Sequence, residues 1–182
     1  FPYTTLFRSD TNKSLKKLKY ASVGLAVLVM LFGLSAIIGL YENIEFLYRY
    51  AINSIAIVFN SALSFIMIGA AIILCIYRQY YIVAPLLLLV AVNAVLVLIE
   101  HVFDINFGID QLFFNHYDAY GNAYPGLMAP NTAVCFLLAS LAMLFQNCPS
   151  NNKPLIFIGS AFSILVLTLG LFFFAGYMGT IL

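Results

Sequence analysis

The chain has 182 residues, of which 64% are hydrophobic and only 8% charged, with a formal net charge of +1. Soluble domains carry about 45–50% apolar and about 25% charged residues, so a soluble fold, a disordered chain and a nucleic-acid binder are all excluded. What remains is an all-α polytopic membrane protein. At about 20 apolar residues per crossing it holds about five spanning helices and no separate catalytic domain.

Residues 1–9, Phe1-Pro2-Tyr3-Thr4-Thr5-Leu6-Phe7-Arg8-Ser9, resemble the translation of a short-read sequencing adapter and are set aside as an artefact. Without Arg8, seven basic residues balance seven acidic ones. Residues 10–19 form a basic juxtamembrane segment containing Lys13, Lys16, Lys17 and Lys19. Long uncharged runs then predict spans at Tyr20–Tyr41, Tyr50–Tyr77, Gln79–Ile99, Met128–Gln146 and Leu155–Leu182. None alternates polar with apolar, so a β-barrel is not expected. The spans group into a first hairpin, 20–77, and a second, 79–146, with an outer loop at 100–130. The fifth helix, 155–182, opens a truncated third hairpin.

The positive-inside rule orients the chain. With the N-terminus inside, Lys13, Lys16, Lys17, Lys19, Arg78 and Lys153 are cytoplasmic and Arg49 alone is outside. Glu42, Glu45, Glu100, Asp104, Asp110 and Asp118 all fall outside. With no Trp in the chain, tyrosines at the span ends supply the aromatic belts. The outer loop is rich in Phe and Tyr, and Ile109–His116 is expected to form a short amphipathic helix in the outer interface. Turns are expected from Tyr120 to Gly126.

One internal repeat stands out. Asn60-Ser61-Ala62-Leu63-Ser64-Phe65 aligns with Asn131-Thr132-Ala133-Val134-Cys135-Phe136, with Gly69 against Ser140 and Ala71 against Ala142 further on. Each copy reads as the opening of a helix returning from the outer side. Asn131, after Pro130, is expected to cap free N–H groups there, and the small residues admit a neighbouring helix. By equivalence the second spanning helix begins near Asn60, with Ala51–Phe59 near the outer surface.

The segments Leu98-Ile99-Glu100-His101-Val102-Phe103, Phe107-Gly108-Ile109-Asp110-Gln111-Leu112 and Gly126-Leu127-Met128-Ala129-Pro130-Asn131-Thr132-Ala133-Val134-Cys135-Phe136-Leu137-Leu138 resemble the integral-membrane N-terminal region of bacterial multi-domain signalling proteins. Those proteins are sensor histidine kinases and diguanylate cyclases. The chain departs from their pattern at Leu127, where Arg is common. The resemblance implies a non-catalytic sensory or anchoring region in the bacterial inner membrane, with a cytoplasmic output domain and dimerisation through that domain. The competing expectation is a transporter or channel subunit, or a membrane protein of another function.

Six residues are candidates for sensory or structural roles: Asn60, Glu100, His101, Asp110, Asn131 and Thr132. Glu100 and His101 adjoin at the outer end of the third span. A charge at the bilayer centre costs roughly 2.5–3.5 kcal/mol, so Glu100 is expected at the boundary, bonded to headgroups and water. With it, His101 is a candidate for a proton-sensing outer site. Asn60 and Asn93 are expected to make interhelical hydrogen bonds or to line a small-ligand site between hairpins. Asp104, Asp110 and Asp118 match no calcium loop. No catalytic residue, cofactor or metal is expected, and Cys75, Cys135 and Cys148 are expected as free thiols.

Overall fold

The computed structural model describes the backbone of residues 3–49, 56–114, 124–147 and 152–181, and within those ranges the side chains from 14 to 176. The described residues are all-α with no strand: α1 Tyr3–Glu42, a single turn α2 Glu45–Tyr48, α3 Phe59–Ile76, α4 Tyr80–Phe103, a 3-10 turn Ile109–Gln111, α5 Pro130–Gln146 and α6 Lys153–Ile181. Four helices are long and apolar enough to cross a membrane: the Ser14–Glu42 part of α1, α3, α4 and the Lys153–Gly176 part of α6. The 17-residue α5 is apolar but shorter.

Packing follows chain order. α1 lies on α3, α3 on α4, α4 on α5, and α5 on α6. The α1–α3 contact is made by small residues. A Cβ on Gly33 would come within 2.5 Å of the Ala62 carbonyl oxygen, and one on Gly69 would meet the Ala26 carbonyl oxygen at 2.8 Å. Without a hydrophobic drive between helices in lipid, such close backbone approach supplies the van der Waals contact that holds them. At the C-terminal end of α3 the Lys19 ammonium of α1 lies 5.0 Å from the centre of the Tyr77 ring.

The two copies of the repeat fold alike. Each returning helix follows one extended residue, Val58 at ψ 157° and Ala129 at ψ 140°, and begins one residue before its asparagine. Ala62 and Ala133 are buried, as are Ala71 with Ala142 and Gly69 with Ser140. The two repeat phenylalanines meet: Phe65 and Phe136 pack edge to face with ring centres 4.9 Å apart. α3 therefore starts at Phe59, close to the expected position. Of Ala51–Phe59, residues 51–55 lie outside the described residues.

Two local expectations are corrected. Ile109–His116 is not one helix, because only Ile109–Gln111 is helical and Leu112–Phe114 bend away. Gly108 at φ 73° and the Asn106 side chain, which accepts the Gly108 N–H at 2.7 Å, turn the chain sharply there. His116 and Asp118 lie outside the described residues, as do Tyr120–Ala123 of the expected turn. Nor does Asn131 occupy the cap position. Ala129 does, Pro130 follows, and Asn131 accepts the Thr132 N–H at 2.9 Å from inside the first turn.

Candidate functional site

The C-terminal ends of α1 and α4 and the N-terminal ends of α3 and α5 converge on the loop that follows α4. Asp104 ends α4 in the left-handed region at φ 52°, a conformation its short polar side chain tolerates. The chain then doubles back over the helix ends and is tied at several points. The Phe107 N–H donates to Glu100 Oε1 at 2.8 Å. Asn60 Nδ2 donates to Asp110 Oδ1 at 2.9 Å. Gln111 Nε2 donates to the Pro125 carbonyl at 2.6 Å, and the Tyr41 hydroxyl donates to the Phe113 carbonyl at 3.2 Å. Phe113 stacks on Phe59, and Phe114 meets the edge of Tyr41. The Tyr124 hydroxyl lies 3.1 Å from both the carbonyl oxygen and Oδ1 of Asp104.

Beneath this lid sit two buried carboxyl groups. Glu100 is 1% exposed and Asp110 4%. Glu100 is thus not the solvated boundary residue expected. One turn beyond it α4 ends, and the returning loop covers it. Among the described residues its Oε2 has no hydrogen-bond partner. Two adjacent buried carboxylates cannot both stay ionised cheaply, because desolvation and like-charge repulsion act together. Burial first, and the neighbouring Glu100 charge second, push Asp110 from the ordinary carboxylate range up to about 7, while the Asn60 hydrogen bond pulls the other way. A proton held by one carboxyl and shared with the other satisfies the Glu100 oxygen that otherwise lacks a partner.

His101 does different work. Its ring Nε2 is 2.9 Å from the Met128 carbonyl oxygen. A carbonyl only accepts, so Nε2 carries its proton in this contact. Gly126, Leu127 and Met128 form non-helical backbone that is buried in protein. Irregular backbone at membrane depth is tolerated only where it is buried and satisfied, and His101 satisfies one of its carbonyls.

Of the six sequence candidates, Asn60, Glu100 and Asp110 come together, and His101 lies one residue beyond. Asn131 and Thr132 do not join them: Asn131 is exposed and Thr132 half-buried at the start of α5. Asn93 makes no side-chain hydrogen bond among the described residues; of the two places expected for it, it takes the second, in the lining of a lateral cleft. Cys75 and Cys135 are free thiols. Sequence reasoning missed the anchoring roles of Tyr41, Tyr124 and Gln111. By sequence Tyr41 is a lipid-interface residue, and only its place opposite the aromatic loop hints at more.

No family model matches this chain, and no curated protein or solved structure does so either. What stands is an all-α membrane-embedded protein in which the loop after α4 covers a pair of carboxyl groups.

Proposed function

We propose that this chain is the membrane-embedded input region of a bacterial inner-membrane signalling protein, serving a histidine kinase or diguanylate cyclase output domain. It is not itself catalytic, and its N-terminus faces the cytoplasm. The resemblance of the Leu98–Leu112 and Gly126–Leu138 segments supports the class, and the bias of Lys and Arg supports the orientation. The observation that carries a sensory rather than a purely anchoring role is the buried Glu100–Asp110 pair, joined to α3 through Asn60.

The pair is suited to read external protons. Among the described residues Glu100, on α4, is the charged group acting on Asp110. α3 contributes the neutral Asn60 amide, and α1 meets the loop through Tyr41, whose hydroxyl donates to the Phe113 carbonyl and whose ring meets Phe114. Losing the shared proton leaves two negative charges under the lid. Their repulsion favours a looser packing of loop, α3 and α4, and a gap of a few kcal/mol between two packings suffices for a switch.

The test uses the intact gene that contains this segment. Output activity in membrane vesicles is measured while external pH is stepped from 5.5 to 8. The expected result is a change in output with a midpoint near 7 in the wild type and a flat response in Asp110→Asn. An intact protein without kinase or cyclase activity, or a wild-type response as flat as that of the variant, overturns the proposal.

A further inference from the structure

Below the lid, α3 and α4 part to leave a cleft of about 310 Å³, open along one side. That volume lies at the lower end of ordinary small-molecule sites. Leu63, Met67 and Leu96 line its walls, and Leu89 and Val92 stand at its open side, 61% and 49% exposed. In a bilayer that side faces hydrocarbon. Ile109, Leu112 and Phe113 of the loop form its roof.

Among the described residues three polar ones line the cleft. Asn60 already donates to Asp110, and the Ser64 hydroxyl donates to the Asn60 carbonyl in its own helix at 2.7 Å. Asn93 is different. It lies near the middle of the 24-residue α4, and its amide makes no hydrogen bond among the described residues. A primary amide facing an apolar, water-poor space lacks the partner that such groups require. A lipid acyl chain cannot supply one, because its ester groups stay at the interface. Among the described residues no charged side chain lines the cleft, so none of them offers an ionised ligand a counter-charge there.

We infer that this cleft is a binding site for a neutral, membrane-dissolved small molecule with an apolar body and one carbonyl or hydroxyl group, held by the Asn93 amide. The inference does not rest on the signalling proposal. It concerns occupancy of the cleft, and it stands or falls whatever output the protein has.

Benzophenone is a suitable probe: it is apolar, carries one carbonyl acceptor, and cross-links on illumination to C–H groups within a few ångströms. The full chain is placed in nanodiscs of phosphatidylethanolamine and phosphatidylglycerol, illuminated across a range of probe concentrations, and mapped by peptide mass spectrometry. Saturable labelling is expected at Met67 and its neighbours Leu63 and Leu96, competed by 2-undecanone but not by undecane. Asn93→Leu is expected to weaken saturation about twofold to tenfold, the worth of one hydrogen bond. Leu89→Trp, which fills the open side and leaves Asn93 in place, is expected to abolish Met67 labelling; it decides the matter if Asn93→Leu does not fold. Unsaturable labelling spread over lipid-facing residues overturns the inference. So does competition by undecane equal to that by the ketone, which would mean that hydrocarbon alone occupies the cleft. Saturation unchanged in a folded Asn93→Leu protein overturns it as well.

Discussion

The chemistry of Asp110 makes stability a function of pH with a definite sign. Its folded value, about 7, lies above the ordinary 3.8. The folded state therefore keeps a proton that the unfolded chain releases. That contribution is complete below about pH 4 and is lost as pH rises to about 7. Thermal unfolding in nanodiscs is expected to show a falling melting temperature across this window. Asp110→Asn, which can still accept from Asn60 while offering its own N–H to Glu100, is expected to flatten the slope and to melt higher than wild type above pH 7. Glu100→Gln removes the like charge while keeping an oxygen for the Phe107 N–H. The Asp110 carboxyl stretch, followed by infrared titration, is then expected to disappear at a lower pH than in wild type. Asn60→Ala acts oppositely. It removes the Asn60 amide donor from Asp110, raises that midpoint further, and costs roughly 1–3 kcal/mol as a buried bond to an ionisable group. Little of this is legible in the sequence. Asp110 and Asn60 are fifty residues apart along the chain, and an isolated Asp in an outer loop reads as solvated until the chain is seen to fold back over it. His101 misleads in the same way, since its partner is a backbone carbonyl and no side-chain pattern reveals one.

Helices are easier to read than side chains because bilayer thickness dictates their length and composition. The uncharged runs locate every long helix, and the Asn-Ser/Thr-Ala repeat correctly moves the start of the second span from Tyr50 to the neighbourhood of Asn60. The loop helix fails because Gly108 and Asn106 turn the chain before apolar periodicity can act. Contacts between helices rest on particular small residues, and that yields a sharp contrast. Gly33→Val drives a side chain into the Ala62 carbonyl and Ile66, and overpacking of this kind costs roughly 1–3 kcal/mol. Gly24 lies in the same helix, and a methyl group added there would meet nothing within 4 Å. Gly24→Ala is therefore expected to be neutral or to stabilise by up to about 1 kcal/mol. Denaturant titration of both variants separates the packed face of α1 from its open face, and equal losses would contradict the α1–α3 contact.

For the whole molecule, the orientation can be checked from both sides of the membrane. In a background with Cys75, Cys135 and Cys148 changed to Ser, Asn106→Cys is expected to react with an impermeant maleimide added outside, and Arg78→Cys only after the inner face is exposed. The reverse pattern would invert the proposed topology. A further property follows from the unequal helices. The uncharged part of α1, Tyr20–Tyr41, has 22 residues and α5 has 17. At 1.5 Å per residue these are about 33 Å and about 26 Å long, against a hydrocarbon core of about 30 Å. α5, packed between α4 and α6, is the helix that falls short. The bilayer is therefore expected to thin beside α5, or the polar chain at its ends to dip toward the core, at a cost of a fraction of a kcal/mol per Å of mismatch.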